Sequence, residues 1–385
     1  MKITDLRVYL TRPEGSNRSW VFIELDTDEG ITGVGEATNS GGGGALIVGR
    51  TYEMLKSDLE GQDFSEGLVG LDPANIDAIW HRIYRRFGTL GSRGFGTTLA
   101  SGIDMALWDI KGKFHDVPVY RLVGGPFREK QRVYWSHLAT YRVRSAEILG
   151  KPKLRTMEDV ANCAREAVDA GYTAFKTNIV FPGENPSMIG NMFAGSNDQN
   201  APTDLVRHTV EQIGAMRQAV GPDIDICLDI NYNFKTEGAI NIGRALEPFD
   251  LFWMEIDNQD PESLAQLKSA QRTPICTGEQ LLGLRQYQPY FRRHAMDTVK
   301  VDVQWQGFSQ AKKVAELAEV YELNIAPHNY YSHLSTMHSL NLCATVPNVR
   351  IMEADIDDVP WKNELTGGAL DYTGGELQIP TKPGW

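Results

Sequence analysis

The sequence predicts an α/β fold, a barrel of the TIM type preceded by a smaller α+β module, and three observations carry that reading. From about residue 130 onward, eight short segments rich in apolar, β-branched and aromatic residues alternate with stretches of helical periodicity, the pattern of repeating βα units. Six consecutive segments close on an acid or a histidine, at Asp229, Glu255, Glu279, Asp302, His328 and Glu353, with spacings of 26, 24, 23, 26 and 25 residues. Each spacing holds one strand, one helix and two loops. Before residue 130 the order differs: strand patterns come first and helices second, which describes an antiparallel sheet covered by helices.

At the N-terminus, KITDLRVYL and WVFIELDT alternate polar and apolar residues and read as strands, and Asp28-Glu29-Gly30 turns the chain into a third, ITGVGEA. The intervening loop RPEGSNRSW is too long for a tight turn and either covers a site or is a surface excursion. Gly41 to Gly44 lack the spacing and the following Lys-Ser/Thr of a phosphate cradle, so they read as a plain loop. Helical periodicity runs over about 47–59, 73–86 and 97–114. In the third of these helices the small residues Ala100, Gly102 and Ala106 let a neighbouring backbone approach, and Asp104 and Asp109 are suited to structural hydrogen bonds.

The eight barrel strands are read as VYWSHLA, TAFKTN, IDICLD, LFWME, PICTGE, DTVKVD, LNIAPH and VRIMEAD. Helices fit between them over about 156–170, 204–220, 236–246, 261–270, 309–320 and 334–344. The interval from Lys176 to Asp229, 53 residues, is too long for one unit. Its excess, FPGENPSMIGNMFAGSNDQNAP, is polar and reads as an inserted active-site or oligomer loop. From about Pro360 the chain is Gly-rich and ends in ELQIPTKPGW, which cannot be another βα unit. The expected divisions are 1–128, 129–358 and 359–385.

A net charge of −12 argues against a nucleic-acid or anionic-membrane partner. Four widely separated cysteines form no CxxC pair, and Cys227 and Cys276 sit inside apolar runs, so buried thiols and a reducing, cytoplasmic setting are expected. No signal peptide and no run of 18 apolar residues is present, so no membrane span is expected.

In a parallel barrel the strand ends share one rim. Asp229, Glu255 and Glu279 would then converge and repel one another, and a cation is needed to hold them together. Oxygen ligands without thiolate or imidazole point to Mg2+. Such an ion would chelate a substrate carboxylate and stabilise the enediolate left when its α-proton departs. His328 supplies a base for that proton, with Asp302 one strand away to fix the imidazole tautomer. Taken singly, each strand-end acid has a plainer reading as a helix cap, and a lone histidine as a core group. Arg18, Trp20, Asn178, Asn231, Gln304 and Asn329 are candidate contacts to a polar, small-molecule carboxylate.

The run Ala100-Ser-Gly-Ile-Asp-Met-Ala-Leu-Trp-Asp-Ile-Lys-Gly-Lys113, followed by Leu122-Val-Gly-Gly125, closely resembles the N-terminal signature of the mandelate racemase and muconate lactonizing group of the enolase superfamily. The Asp229, Glu255, Glu279 triad and the Asp302/His328 pair extend the resemblance over nearly the whole chain. It implies a modified, (β/α)7β-like barrel whose capping domain is completed by the C-terminal tail, a homo-oligomer, and chemistry on acid sugars or hydroxy acids. By the same carry-over Glu353 is an electrophilic hydrogen-bond donor to the substrate carboxylate; its alternative is a rim salt bridge.

Two departures bear on the reaction. Lys176-Thr177-Asn178 stands where the group often carries Lys-x-Lys, so the second base is missing at 178, and Lys176 is left either a charge beside the substrate carboxylate or a proton acceptor. Asn231 stands where some dehydratases of the group place a histidine. One clear base favours dehydration of a sugar acid to a 2-keto-3-deoxy acid over two-base racemisation. The alternatives are an epimerase or cycloisomerase on a hydroxy acid or lactone, and a non-catalytic metal-dependent binding protein.

Overall fold

The computed structural model describes residues 1–11, 18–38, 46–52, 67–86, 94–189, 199–257 and 260–385. The glycine run at 41–44, most of the loop before Trp20, the second half of the helix expected over 47–59 and part of the long insertion lie outside these residues.

Alternation in the first segments produces a three-stranded antiparallel meander of β1 (Ile3–Thr11), β2 (Trp20–Thr27) and β3 (Thr32–Glu36). Val21, Ile23 and Leu25 of β2 are fully buried, as a sheet with one covered face requires. The cover is α2 (Phe95–Phe114), with α1 (Ile76–Arg86) packed beside it. A Cβ built on Gly33 would strike the carbonyl oxygen of Ala106, and one built on Gly35 that of Gly102. The small residues of the helix thus meet glycines of the strand, backbone against backbone.

The barrel strands are β4 (Lys130–Ser136), β5 (Ala174–Thr177), β6 (Asp225–Asp229), β7 (Trp253–Glu255), β8 (Ile275–Thr277), β9 (Thr298–Val299), β10 (Asn324–Ile325) and β11 (Met352–Asp355). They pair in parallel in the order β10-β9-β8-β7-β6-β5-β4-β11. A parallel bridge between Ile325 and Val349, reinforced by the Arg350 amide donating to the Ile325 carbonyl at 2.9 Å, closes the ring. Between successive strands lie α3 (Met157–Asp169), α4 (Thr203–Val220), α5 (Thr236–Leu246), α6 (Pro261–Ala270), α7 (Leu284–Arg292), α8 (Phe308–Val320) and α9 (His333–Thr345). Among the described residues no α-helix follows β11, only short 3-10 turns, which makes this the (β/α)7β form of the barrel. α3 starts on a reciprocal cap, the Thr156 hydroxyl accepting from the Asp159 amide while the Asp159 carboxylate accepts from the Thr156 amide. Part of the long insertion forms a small antiparallel ribbon, residues 180–181 against 187–188.

The tail pairs first with the barrel: β12 (Glu376–Gln378) runs antiparallel to the beginning of β4. Its last residues then reach α2, where the Trp385 amide donates to Asp109 Oδ1 at 3.1 Å and the indole N–H to the Met105 carbonyl at 3.0 Å. Asp104 holds α2 to the barrel by accepting from the Ser309 amide (3.0 Å) and hydroxyl at the start of α8. The four cysteines are free and buried, and among the described residues no helix is long and apolar enough to cross a membrane.

Candidate active site

Parallel strands bring their carboxyl ends to one rim, and the titratable residues gather there. Asp229 and Glu255 end β6 and β7 and are ladder partners. Glu279 lies two residues beyond β8, and Glu353 is on β11. β9 and β10 are only two residues long, so Asp302 and His328 fall beyond the ladder, joined by a parallel bridge of their own.

Two buried ammonium groups bind the acids together. Lys176 Nζ lies 2.7 Å from Glu255 Oε1, 3.1 Å from Glu353 Oε1 and 3.5 Å from Asp229 Oδ2. Lys300 Nζ lies 3.3 Å from Glu255 Oε2 and 3.0 Å from Glu353 Oε2. Burial by itself would raise both glutamates, but Lys176 and Lys300 outweigh it and hold Glu255 below, and Glu353 well below, the ordinary carboxylate range. An ionised carboxylate accepts hydrogen bonds and donates none. Glu353 accepts from the Ser136 hydroxyl and from the Asn329 amide at 3.0 Å, so in this arrangement it is an acceptor in an ion-pair network, the salt-bridge alternative to the donor role. Burial would lower Lys176, yet its carboxylates hold it well above the usual lysine value, which favours the charge role over proton abstraction.

Asp229 and Glu279 respond in the opposite sense. Burial is the main cause of each rise; repulsion from Glu255 adds to Asp229, and repulsion from Asp257, Glu255 and Asp229 adds to Glu279. Among the described residues no three such groups are drawn together tightly enough to form a coordination shell as they stand. Asp229 Oδ1 accepts from the Asn231 amide (2.8 Å) and side chain (2.9 Å), and Glu279 Oε2 faces His328 Nε2 at 3.3 Å. The donor set is all oxygen, and its members repel one another on neighbouring strand ends. Both properties fit a hard divalent cation.

The base is firmly held. His328 Nδ1 lies 2.5 Å from Asp302 Oδ2, which also accepts from the Tyr331 hydroxyl at 2.7 Å, while Asp302 Oδ1 accepts from the Trp305 amide at 2.7 Å. Asp302 thus caps the short helix Val303–Gln306 and orients the imidazole at once, leaving Nε2 as the working nitrogen.

Above this floor opens a cavity of 840 Å³, walled by Lys176, Asn178, Asp229, Asn231, Glu279 and His328 from the barrel and by Arg18 and Trp20 from the N-terminal module. Arg18 is gripped by Asp355 at 2.6 Å and Asp358 at 2.8 Å. Asn178 reaches the cavity edge with both ends engaged: its N–H donates to the Asp229 carbonyl and its oxygen accepts from Thr140, each at 3.0 Å. Glu255, Asp302 and Glu353 are buried behind the cavity wall, and the expected contacts Gln304 and Asn329 do not line it either. Gln304 sits in the helix after Asp302, where the alternation that aims strand residues inward has ended; its amide donates to His338 Nδ1 at 2.9 Å, and Ser101 of α2 bonds its carbonyl. Asn329 supports Glu353 from below, its side-chain N–H donating to the Glu353 carbonyl at 3.1 Å.

Lys300, Asp257 and His137 escaped the sequence reading. Lys300 had a signal, since it precedes Asp302 by two residues and so shares its face. His137 closes the segment VYWSH as His328 closes its own.

With this geometry, the likenesses to known proteins fall into place. Residues 8–124 match the family described as mandelate racemase / muconate lactonizing enzyme, N-terminal domain, and residues 159–385 match the enolase C-terminal domain-like family. The chain belongs to the mandelate racemase and muconate lactonizing enzyme family of the enolase superfamily. Within that family it is 30% identical to a D-xylonate dehydratase of Haloferax volcanii, over all of this chain and 85% of the relative. It is 27% identical to a D-galactarolactone cycloisomerase of Agrobacterium fabrum, over all of this chain and 95% of that protein. Its fold superposes with a TM-score of 0.91 and 35% identity on a candidate L-alanine-DL-glutamate epimerase of Burkholderia xenovorans, solved with magnesium and fumarate bound, covering all of this chain and 93% of that one. The mandelate racemase family signature on α2 is thus the stretch that clamps meander, barrel and tail together.

Proposed function

We propose that this protein is a Mg2+-dependent acid-sugar dehydratase that converts an aldonic or aldaric acid to its 2-keto-3-deoxy acid. The observation that carries the reading is the asymmetry about His328: locked by Asp302, it faces a cavity whose β5 side offers an amide, Asn178, and a lysine occupied by carboxylates. Relatives named as D-xylonate and D-gluconate dehydratases support the same class.

Bound among Asp229, Glu255 and Glu279, the metal ion would supply positive charge for the substrate carboxylate and for the enediolate. The chain's own residues do the rest. His328 Nε2 takes the α-proton, with Asp302 accepting from Nδ1 and stabilising the imidazolium. The Lys176 and Lys300 ammoniums keep Glu255 and Glu353 ionised in the buried layer behind the cavity. Trp20 and Arg18 cover the site and restrict water.

The test is turnover of an acid-sugar panel with Mg2+, scored as 2-keto acid trapped by semicarbazide. Product should form with at least one sugar acid, cease with a chelator, and fall by about 10²–10⁴-fold in His328→Asn with the fold retained. A second reading, epimerase or cycloisomerase, is favoured by the Agrobacterium relative and the Burkholderia structure. Exchange of the α-hydrogen in D2O without keto acid would establish that reading and exclude dehydration.

A further inference from the structure

Elimination of a β-hydroxyl needs a proton on the leaving oxygen, and two positions near the floor cannot give one. Asn231 is an amide beside Asp229, and Lys176 is tied to three carboxylates. A second imidazole lines the same cavity. His137 follows directly on β4 and is held at φ 52, a conformation that a non-glycine residue adopts at a cost and that clusters at functional sites. Its Nδ1 lies 3.2 Å from Asp355 Oδ1, at the end of β11, and 3.2 Å from the Ser136 hydroxyl. The ring stacks on Tyr141 (4.6 Å, 20°) and meets Tyr330 edge-on at 5.7 Å, while Tyr330 lies 5.0 Å from the His328 ring. Two Asp–His pairs, one from the β9 and β10 ends and one from β11 and β4, therefore flank one tyrosine in a single cavity.

The second pair is longer than the first, at 3.2 Å against 2.5 Å, but its aspartate is held from both sides. Asp355 has a side chain only 1% exposed and is pinned from its other side by Arg18 at 2.6 Å, whereas His137 keeps 19% of its side chain open. With Nδ1 committed to Asp355, Nε2 is the nitrogen available to a bound molecule.

We propose that His137, oriented by Asp355, is the acid that protonates the hydroxyl leaving the substrate, while His328 takes the α-proton; this rests on the dehydratase reading above. His137 enters as the imidazolium. The Cα–H bond breaks and its proton goes to His328 Nε2. The electron pair left on Cα forms the Cα–Cβ double bond as the Cβ–O bond breaks, and the departing oxygen takes the Nε2 proton of His137 and leaves as water. The enol product then ketonises: Cβ gains the proton held on His328, and the enol O–H proton returns through water to His137, so the net change is loss of one water.

The experiment separates the two proton transfers. In D2O, His137→Asn should still exchange the α-hydrogen of the sugar acid at close to the wild-type rate, while keto-acid formation falls by about 10²–10⁴-fold. His328→Asn should lose both. A substrate analogue carrying fluoride in place of the β-hydroxyl needs no proton on its leaving group, so His137→Asn should release fluoride at close to the wild-type rate. Should the asparagine variant fail to fold, His137→Gln is read by the same three assays. The His137 role is overturned if the folded variant dehydrates as fast as wild type, or loses exchange and dehydration equally. If the wild-type enzyme forms no keto acid from any acid sugar, the dehydratase reading falls and this role with it.

Discussion

Lys300 is fully buried and does not line the cavity, yet it lies within 3.3 Å of two carboxylates, Glu255 and Glu353, that also pair with the cavity residue Lys176. Removing one partner from such a network strands charge away from water. Lys300→Met should therefore destabilise the fold by about 3–5 kcal/mol in a urea titration. Lys300→Met combined with Glu353→Gln should recover part of the loss, because the two residues share one network. The acids at the strand ends were legible in the sequence because they recur at the βα interval, and Lys176 was legible beside them; Lys300 and the pairing of both lysines with Glu255 and Glu353 were not, because nothing in a spacing shows which side chains meet across a barrel. Gln304 misses the cavity for a local reason: two residues past Asp302 the chain has already turned into helix. Glu353 stands on the expected strand, and its two lysine partners match the salt-bridge alternative rather than the donor role.

Between elements, α2 is the part that most others lean on. Burial lifts the Asp104 carboxyl to about 7 from 3.8, despite the Ser309 donors. Its folded-state value thus lies above its unfolded one, so the stability it contributes is fully present below pH 3.8 and is lost as pH rises through 7. Asp104→Asn cannot ionise, and its melting temperature should gain on wild type by several degrees between pH 4 and pH 7, as read by scanning calorimetry at each pH. The strands and most helices were legible because apolar runs and periodicity mark them directly. α7 was not, since Pro289 interrupts its pattern from inside. The close contact of β3 and α2 was half legible: the small helix residues predicted a near neighbour without saying that Gly33 and Gly35 would be that neighbour.

For the whole molecule, the active-site cavity depends on both modules at once. Arg18 comes from the N-terminal module and is held by Asp355 and Asp358 at the far end of the barrel sequence. Arg18→Ala should raise KM by about tenfold, the loss of one charge-assisted hydrogen bond, while lowering kcat less, as read from initial rates on the best sugar acid. The succession of strands, helices and tail gave the architecture in outline, but the meeting of residue 18 with residues 355 and 358 is a matter of chain return that no local pattern encodes.

The bridge between Ile325 and Val349 has a further consequence. A sheet that closes on itself has no terminal strand, and therefore no row of idle amides and carbonyls for a second polypeptide to extend. Copies of this chain cannot join by continuing the barrel ladder from one molecule to the next. Association through the barrel has to be made by side chains on its helices and loops, where single substitutions can tune it without touching the ring.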